Sequence, residues 1–404
     1  MAIDGKTVGL ALSGGGFRAA LFGLGSLWRL NDAGLLGRLD CITSVSGGSI
    51  VSGVLAHGWK QLQFVGGRAS NFEAVVAQPI RKFCAQEYAV EPGLKGLLTP
   101  VKLVQNLAHD VDVSATLKGW ITPGMSAADF LIGRYREELF GEATLKDLPQ
   151  PGDGAPLFIF YATNLQTGRS FRLQRDKVAD YRIGESTSLV VPLAKAVAAS
   201  SAFPPVFSPV VLEADVDAWT DTPVGQDGKR QTLEDRELLG KLRQRVLLAD
   251  GGIYDNMGLQ RLTGDTQDRV DIVLASDAGA PFEIEEKLHE DYVSQLGRVR
   301  DILIDQTRAL RKRWLIQEFI EQRRKGAYWG VATDIDAYHA PDALASFTPG
   351  NQKLDEVPTR LSGLDHGLQV QLINWGYALC DAALRAPKSS AGLPVAPVTA
   401  LPAS

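Results

Sequence analysis

Ser46 stands in Ser44-Val45-Ser46-Gly47-Gly48-Ser49, behind the short apolar run Cys41-Ile42-Thr43. Ahead of it, Ile50-Val51-Ser52-Gly53-Val54-Leu55-Ala56 is apolar at helical spacing. A strand, a tight turn of small residues and then a helix is the context a nucleophile elbow needs. The turn lifts one hydroxyl clear of the sheet, and the helix sets its positive end beneath it. The pattern is G-x-S-x-G with Ser44 in place of the first glycine. A serine hydroxyl is a weak nucleophile and needs a base within hydrogen-bond reach. Asp250 ends the apolar run Val246-Leu247-Leu248-Ala249 and is followed by Gly251-Gly252. A carboxylate at the C-terminal end of a strand sits where α/β enzymes place chemistry. Taken in isolation, a Gly/Ser turn and an Asp-Gly-Gly each read as ordinary turns.

The third candidate is Ser13-Gly14-Gly15-Gly16-Phe17-Arg18-Ala19, directly after the apolar run at 7–12. Gly14-x-Gly16-x-x-Ala19 matches a relaxed dinucleotide fingerprint, and Asp40 falls at the spacing of a ribose-binding acid. That acid should end the second strand, yet Asp40 precedes the Cys41-Ile42-Thr43 run. The second reading is an oxyanion hole, with consecutive glycine N–H groups at a helix N-terminus facing a developing negative charge. The third is a glycine-rich turn and nothing more. A glycine loop and a serine elbow on consecutive strands are a stronger combination than either alone. Histidines offer a different base: His57 lies in the helix after the serine, His109 in the following insertion, and His289, His339 and His366 late. A Ser…Asp…His order using His339 or His366 stays open. An aspartate paired directly with serine suits ester cleavage, since an alkoxide leaves with less acid help than an amine. Such a base must be ionised, so activity falls in acid.

These residues need elements to carry them. Residues 20–31 read as a helix with Leu21, Leu24, Leu27, Trp28 and Leu30 in one stripe, ended near Gly34. Strand–loop–helix repeated twice predicts an α/β fold with a mostly parallel sheet. Residues 72–88 and 125–140 read as amphipathic helices, with apolar runs at 93–98 and 101–107 between them. The region 66–149 is therefore expected to be an inserted helical cap. Residues 157–164 read as a returning strand with a hairpin partner around Ser170-Phe171-Arg172-Leu173. Residues 191–200 read as a small-residue helix stopped by Pro204-Pro205. Residues 270–277 form another strand, whose Asp277 reads as structural. Residues 293–324 form a long helical region rich in Arg and Lys. Interleaved Asp301, Asp305, Glu318 and Glu321 favour a solvated charged face over a lipid-headgroup surface. Trp329-Gly330-Val331-Ala332-Thr333 reads as a late strand and 368–384 as a closing helix. The Ala/Pro/Ser-rich 386–404 reads as a disordered tail.

Composition narrows the function class. The 404 residues carry a net charge of -5, which gives no general attraction to nucleic acid. Three widely spaced cysteines, Cys41, Cys84 and Cys380, fit a reduced cytoplasmic protein and show no metal-type spacing. The N-terminus has no signal core, and no stretch is long and apolar enough to span a bilayer, so any membrane contact is expected to be peripheral.

Taken in order, Gly14 to Ala19, Ser44-Val45-Ser46-Gly47-Gly48 and Asp250-Gly251-Gly252 resemble the patatin-like phospholipase family. Ala198-Ala199-Ser200-Ser201-Ala202-Phe203-Pro204-Pro205 and Tyr254-Asp255-Asn256 are similar to that family's sequences as well. The resemblance covers about residues 7 to 280. It implies a three-layer α/β/α sandwich and a Ser-Asp dyad with Ser46 as nucleophile and Asp250 as base. Gly14, Gly15 and Gly16 would form the oxyanion loop, with the Gly15 and Gly16 N–H groups as donors and Arg18 ordering it. Ser44, Gly48, Gly251 and Gly252 would support elbow and base. Two departures stand out: Ser44 for the elbow's first glycine, and Ala19 for the loop's last. The expectation is one catalytic domain, 1–385, with the cap at 66–149, a C-terminal helical region at 286–385 and the tail at 386–404. It would hydrolyse a lipid or other ester with neither metal nor cofactor; the oligomeric state is not readable. The competing functions are a nucleotide-binding oxidoreductase or regulatory module built on the glycine loop, and a catalytically silent lipid-binding relative.

Overall fold

Successive side chains of a strand point to opposite faces, so a run that is apolar throughout must be covered on both sides. The structure, a computed structural model, obeys this. It describes residues 5–86, 126–204, 207–222, 231–264, 269–282, 284–286, 291–341, 344 and 353–403, apart from positions 388, 397 and 399. The apolar runs at 93–98 and 101–107, and also His109, Met125, Pro205 and His289, lie outside the described residues.

Ten described strands form one sheet: β1 (Val8–Leu12), β2 (Cys41–Val45), β3 (Leu157–Asn164), β4 (Arg169–Gln174), β5 (Val178–Asp180), β6 (Gly184–Ser186), β7 (Val210–Glu213), β8 (Arg245–Asp250), β9 (Ile272–Asp277) and β10 (Lys325–Gly330). Their spatial order is β10-β9-β1-β2-β3-β4-β5-β6, with β8 joining β3 to β7. From β10 to β3 every pairing is parallel, and beyond β3 every pairing is antiparallel. The described helices longer than one turn are α1 (Gly16–Asp32), α2 (Gly47–Gly58), α3 (Gln78–Ala85), α4 (Ala127–Tyr135), α5 (Leu193–Ser201), α6 (Arg236–Gln244), α7 (Tyr292–Ile320) and α8 (His366–Arg385). Val8, Leu10, Leu12 and Ile42 point into a core shared with α1, α2, α5 and α8. Ala11, Cys41, Val45 and Val273 point the other way, onto Met257, Leu259, Leu262 and Leu315 of α7. The result is the expected α/β/α sandwich with a mostly parallel sheet.

Helix α1 is buried along almost its whole length because it lies between the sheet and α8. The two helices touch backbone to backbone: a Cβ on Gly25 would overlap the Ile373 carbonyl, and one on Gly376 the Phe22 carbonyl. Across this contact Arg29 meets Asp381 at 2.8 Å, both fully buried, and Arg385 closes on the same carboxylate at 2.7 Å.

Three expectations change here. The strand expected at 329–333 is displaced: β10 begins at Lys325, four residues earlier, and pairs in parallel with β9. Its Gly and aromatic residues carry a weak strand signal, and the parallel neighbour overrides it. The described residues of 386–403 are docked. Asn374 exchanges two hydrogen bonds with the Ala403 backbone, Arg29 donates to the Ala396 carbonyl, and Ala391, Leu393 and Ala403 are buried. Composition suggested disorder, but spaced apolar side chains and satisfied carbonyls fix the segment. The exposed side of α7 is apolar rather than charged, because its arginines turn inward to Asp277 and Asp255.

Removing one partner of a buried ion pair leaves an uncompensated charge, so Asp381→Ala should cost about 3–5 kcal/mol. A urea titration of the purified protein measures this.

Candidate active site

Strands β2 and β8 meet head to head. Strand β2 pairs in parallel with β3 up to Val45 opposite Tyr161, while β8 arrives antiparallel and ends with Asp250 opposite Ala162. The other edge of β3 is taken by β4 from Ile159 to Asn164, so β2 and β8 must share one edge and collide end to end. Their next residues are Ser46 and Gly251. The Ser46 side chain and the Asp250 carboxyl are accordingly brought to the same junction, and the carboxyl's Oδ1 accepts the Gly252 N–H at 2.7 Å. Burial pushes the Asp250 carboxyl up to about 6, against the downward pull of the nearby Ser46 hydroxyl and the Gly252 N–H.

Ser46 has φ 51° and ψ -121°, a left-handed conformation that a side chain makes costly. What holds it is Ser200, at the end of α5. The Ser200 carbonyl accepts the N–H groups of both Ser46 (3.1 Å) and Gly251 (3.2 Å), tying the two strand ends together. The Ser200 hydroxyl also accepts from the Ser46 N–H at 3.1 Å, lies 2.8 Å from the Ser49 Oγ and donates to the Tyr161 carbonyl at 2.6 Å. Next in line, the Ala202 carbonyl accepts the Asp250 N–H at 3.0 Å.

The glycine loop lies against the elbow. A Cβ on Gly47 would overlap the Gly16 carbonyl, so glycine there is what lets the N-termini of α1 and α2 converge beside Ser46. The three loop glycines are not equivalent. The Gly14 N–H is taken by the Asn256 carbonyl at 3.0 Å. Gly15 (φ 145°) and Gly16 (φ 60°) cap and open α1, where backbone N–H groups have no partner within the helix. Arg18 points away from the elbow: its Nε donates to the Ala278 carbonyl at 2.8 Å, and its Nη atoms bond Val357 and Thr359. With Phe17 N–H donating to the Arg360 carbonyl at 3.0 Å, residues 357–360 strap the loop in place. Burial and the nearby Arg308 bring Arg18 down to about 10, still charged at neutral pH.

A family model described as patatin-like phospholipase matches residues 10–263. The chain belongs to that family. Similar solved structures include human GIVD cytosolic phospholipase A2 (14% identity, 94% of this chain and 59% of that chain, TM-score 0.48). The same human protein in complex with methyl gamma-linolenyl fluorophosphonate gives 14% identity over 93% of this chain and 57% of that one, TM-score 0.45. VipD from Legionella pneumophila gives 16% identity over 94% and 67%, TM-score 0.33. The chain thus spans 59% of the human phospholipase chain. No curated protein sequence matches it.

The two departures from the family pattern have simple local accommodations. Ser44 is an ordinary β2 residue whose hydroxyl donates to the Ile159 carbonyl and lies 3.0 Å from the Ser49 Oγ. The Ala19 methyl occupies the space above Gly47, where no Cβ competes. Gly48 and Gly251 press against the carbonyls of Leu12 and Tyr161, and Gly252 against the Asn256 amide. The described histidines stay away from the dyad: His57 stacks edge-on to Phe140, His339 caps a short turn, and His366 pairs with Arg81. Asp40 is at the N-terminal end of β2, bonded to the Val8 N–H at 2.7 Å, across the sheet from the glycine loop. Sequence reasoning gave no role to Ser200, to Asn256 or to the strap at 357–360.

Ser200→Ala keeps the clamp's carbonyl but removes the hydroxyl's bonds to the Ser46 N–H, Ser49 Oγ and the Tyr161 carbonyl, leaving Ser49 with Ser44 alone. We expect a loss of about 1–3 kcal/mol in chemical denaturation. The strained elbow should also loosen, seen as a fall in kcat with KM little changed.

Proposed function

We propose that this protein is a serine acyl hydrolase of lipid esters, of phospholipase A or lysophospholipase type, working through a Ser46–Asp250 dyad. The observation that carries the reading is the end-to-end meeting of β2 and β8 on one edge of β3, which puts Ser46 directly past one strand end and Asp250 at the other. Asp250 takes the hydroxyl proton as Ser46 Oγ attacks the acyl carbonyl. The negative oxygen that develops is held by the Gly15 and Gly16 N–H groups and the two helix N-termini. Asp250 returns the proton to the leaving alkoxide, and an acyl-enzyme remains. Water, deprotonated by Asp250, then releases the acid.

An apolar substrate has a matching surface. Phe17 follows the glycine loop directly and stacks edge-on with Phe83, which packs against Tyr135, whose hydroxyl lies 2.9 Å from the Ser201 Oγ. These rings, with Phe130, Leu131, Phe207, Leu361 and Arg134, line a narrow cleft, and we propose that the acyl chain enters along it. It lies between α1 and the described flanks of residues 66–149, which we take as the cap of a single catalytic domain. The nucleotide-binding alternative loses support from Asp40, which sits at the wrong end of β2 to meet a ribose near the glycine loop.

Ser46→Ala should abolish both ester hydrolysis and covalent labelling by a fluorophosphonate, a loss of about a thousandfold or more in kcat. Retained turnover would end the proposal. In the wild type, kcat/KM should fall as pH drops through about 6, because the base must be ionised. Asp250→Asn should be inactive yet more stable. The folded carboxyl is raised from 3.8 to about 6, so its charge costs stability above that pH and nothing once both states are protonated. Removing it should gain roughly 3 kcal/mol at pH 8 and progressively less from pH 6 to pH 4, read from thermal melts across that range.

A further inference from the structure

Helix α7 has 29 residues and so runs about 44 Å. Its exposed positions recur at intervals of three and four: Leu296, Val299, Leu303, Leu310 and Trp314, with Ile302 and Ile320 on the same side. The remaining exposed residues of that side are Gln295, Gln306, Arg313 and Gln317. An outward face carrying seven large apolar residues is the reverse of what a solvent-facing helix shows. Two of them are among the most exposed large side chains described, Leu303 at 61% and Leu310 at 58%.

We propose that this stripe docks the protein on an anionic phospholipid bilayer, with the catalytic site beside it. Three observations select a bilayer over a second copy of the chain. First, the stripe spans about a third of the helix circumference, wider than the seam of a two-helix coil and suited to a flat surface. Second, Arg308 and Arg311 turn inward to Asp277 and Asp255, and Arg298 and Arg300 pair with Glu285 and Asp301, so the charge at the exposed positions of the stripe is the basic Arg313. None of the exposed positions on the stripe is acidic, so two copies would bring like charge together while an anionic surface neutralises it. Third, the inner side of α7 holds the segments that frame the site. Arg300 lies over the Phe203 ring at 4.9 Å and donates to the Pro204 carbonyl at 3.2 Å, just past the Ala202 that binds Asp250. Arg308 grips Asp277 and the Gly279 carbonyl, beside the Ala278 that binds Arg18.

The link to catalysis rests on the hydrolase reading above, but docking itself is testable without it. The probe is the full chain carrying Ser46→Ala, sedimented with large vesicles of phosphatidylcholine alone or mixed with phosphatidylserine. We expect binding to the mixed vesicles, weaker binding to phosphatidylcholine, and weakening of both with salt. Leu303→Glu with Leu310→Glu should lower the partition coefficient about tenfold or more. With Ser46 intact, the pair should slow hydrolysis of vesicle-borne phospholipid by a similar factor and leave a soluble short-chain ester untouched. Should the glutamate pair fail to fold, Leu303→Ser with Leu310→Ser gives the same reading. Vesicle binding equal to that of the parent overturns the proposal. So does a wild-type dimer that the substitutions dissociate while vesicle binding stays the same, which would assign the stripe to self-association. If Ser46→Ala keeps hydrolysing the soluble ester while the stripe variants lose the vesicles, the dyad falls and the docking surface stands.

Discussion

Two strands compete for one edge of a third, and the site follows from that constraint. Because β4 fills the far edge of β3, β2 and β8 must share the near one, running in opposite directions until their ends meet between Tyr161 and Ala162. A hydroxyl leaves one end and a carboxylate the other, so hydrogen-bonded sheet fixes their separation rather than flexible loops. The carbonyl of Ser200 binds the first amide past each strand end and prevents the gap from opening. This placement has two local costs: a non-glycine residue at positive φ and a buried carboxylate with a single hydroxyl and one amide for company.

Much of this was legible from residue types. The glycine loop, the serine turn and the acid after Val246-Leu247-Leu248-Ala249 each fall at the end of an apolar run, and run ends are where a sheet exposes chemistry. What the run does not encode is direction. Asp250 ends an apolar run whose residues say nothing of orientation, and in a mostly parallel sheet β8 is antiparallel. The conclusion survived because the strand's approach from the opposite side still ends at the elbow. Ser200 was invisible for another reason. A hydroxyl inside an Ala-rich helix has no period and no motif, and its role appears only when Ser46, Ser49 and Tyr161 surround it. The segment after 386 misled in the opposite sense, since its Ala/Pro/Ser content hides the side-chain amide of Asn374 that receives Ala403.

Charge counting failed on α7 because a sequence gives the number of charges and not their direction. Asp277 and Asp255 lie beneath the helix, and burying a carboxylate demands a partner. Burial alone would raise the Asp277 carboxyl; Arg308, the Gly279 N–H and the Tyr328 hydroxyl more than offset this and hold it below its ordinary range. Arg311 lies 3.4 Å from Asp255. With those guanidiniums committed inward, the helix's leucines are left outside.

The same commitment couples two functions mechanically. Residues 277–280 accept Arg308 of α7 at Asp277, Gly279 and Ala280. From the other side, the Ala278 N–H donates to Ser13 Oγ at 2.7 Å and its carbonyl accepts Arg18 Nε. One short loop therefore joins the helix with the apolar outer stripe to the glycine loop that packs against the elbow. Every member of the relay is a hydrogen bond to backbone or to a buried carboxylate, so a shift of α7 relative to the glycine loop would orphan several at once. The angle between the stripe and the dyad is thus fixed by the fold, and a surface that seats the stripe presents its molecules to Ser46 in one orientation.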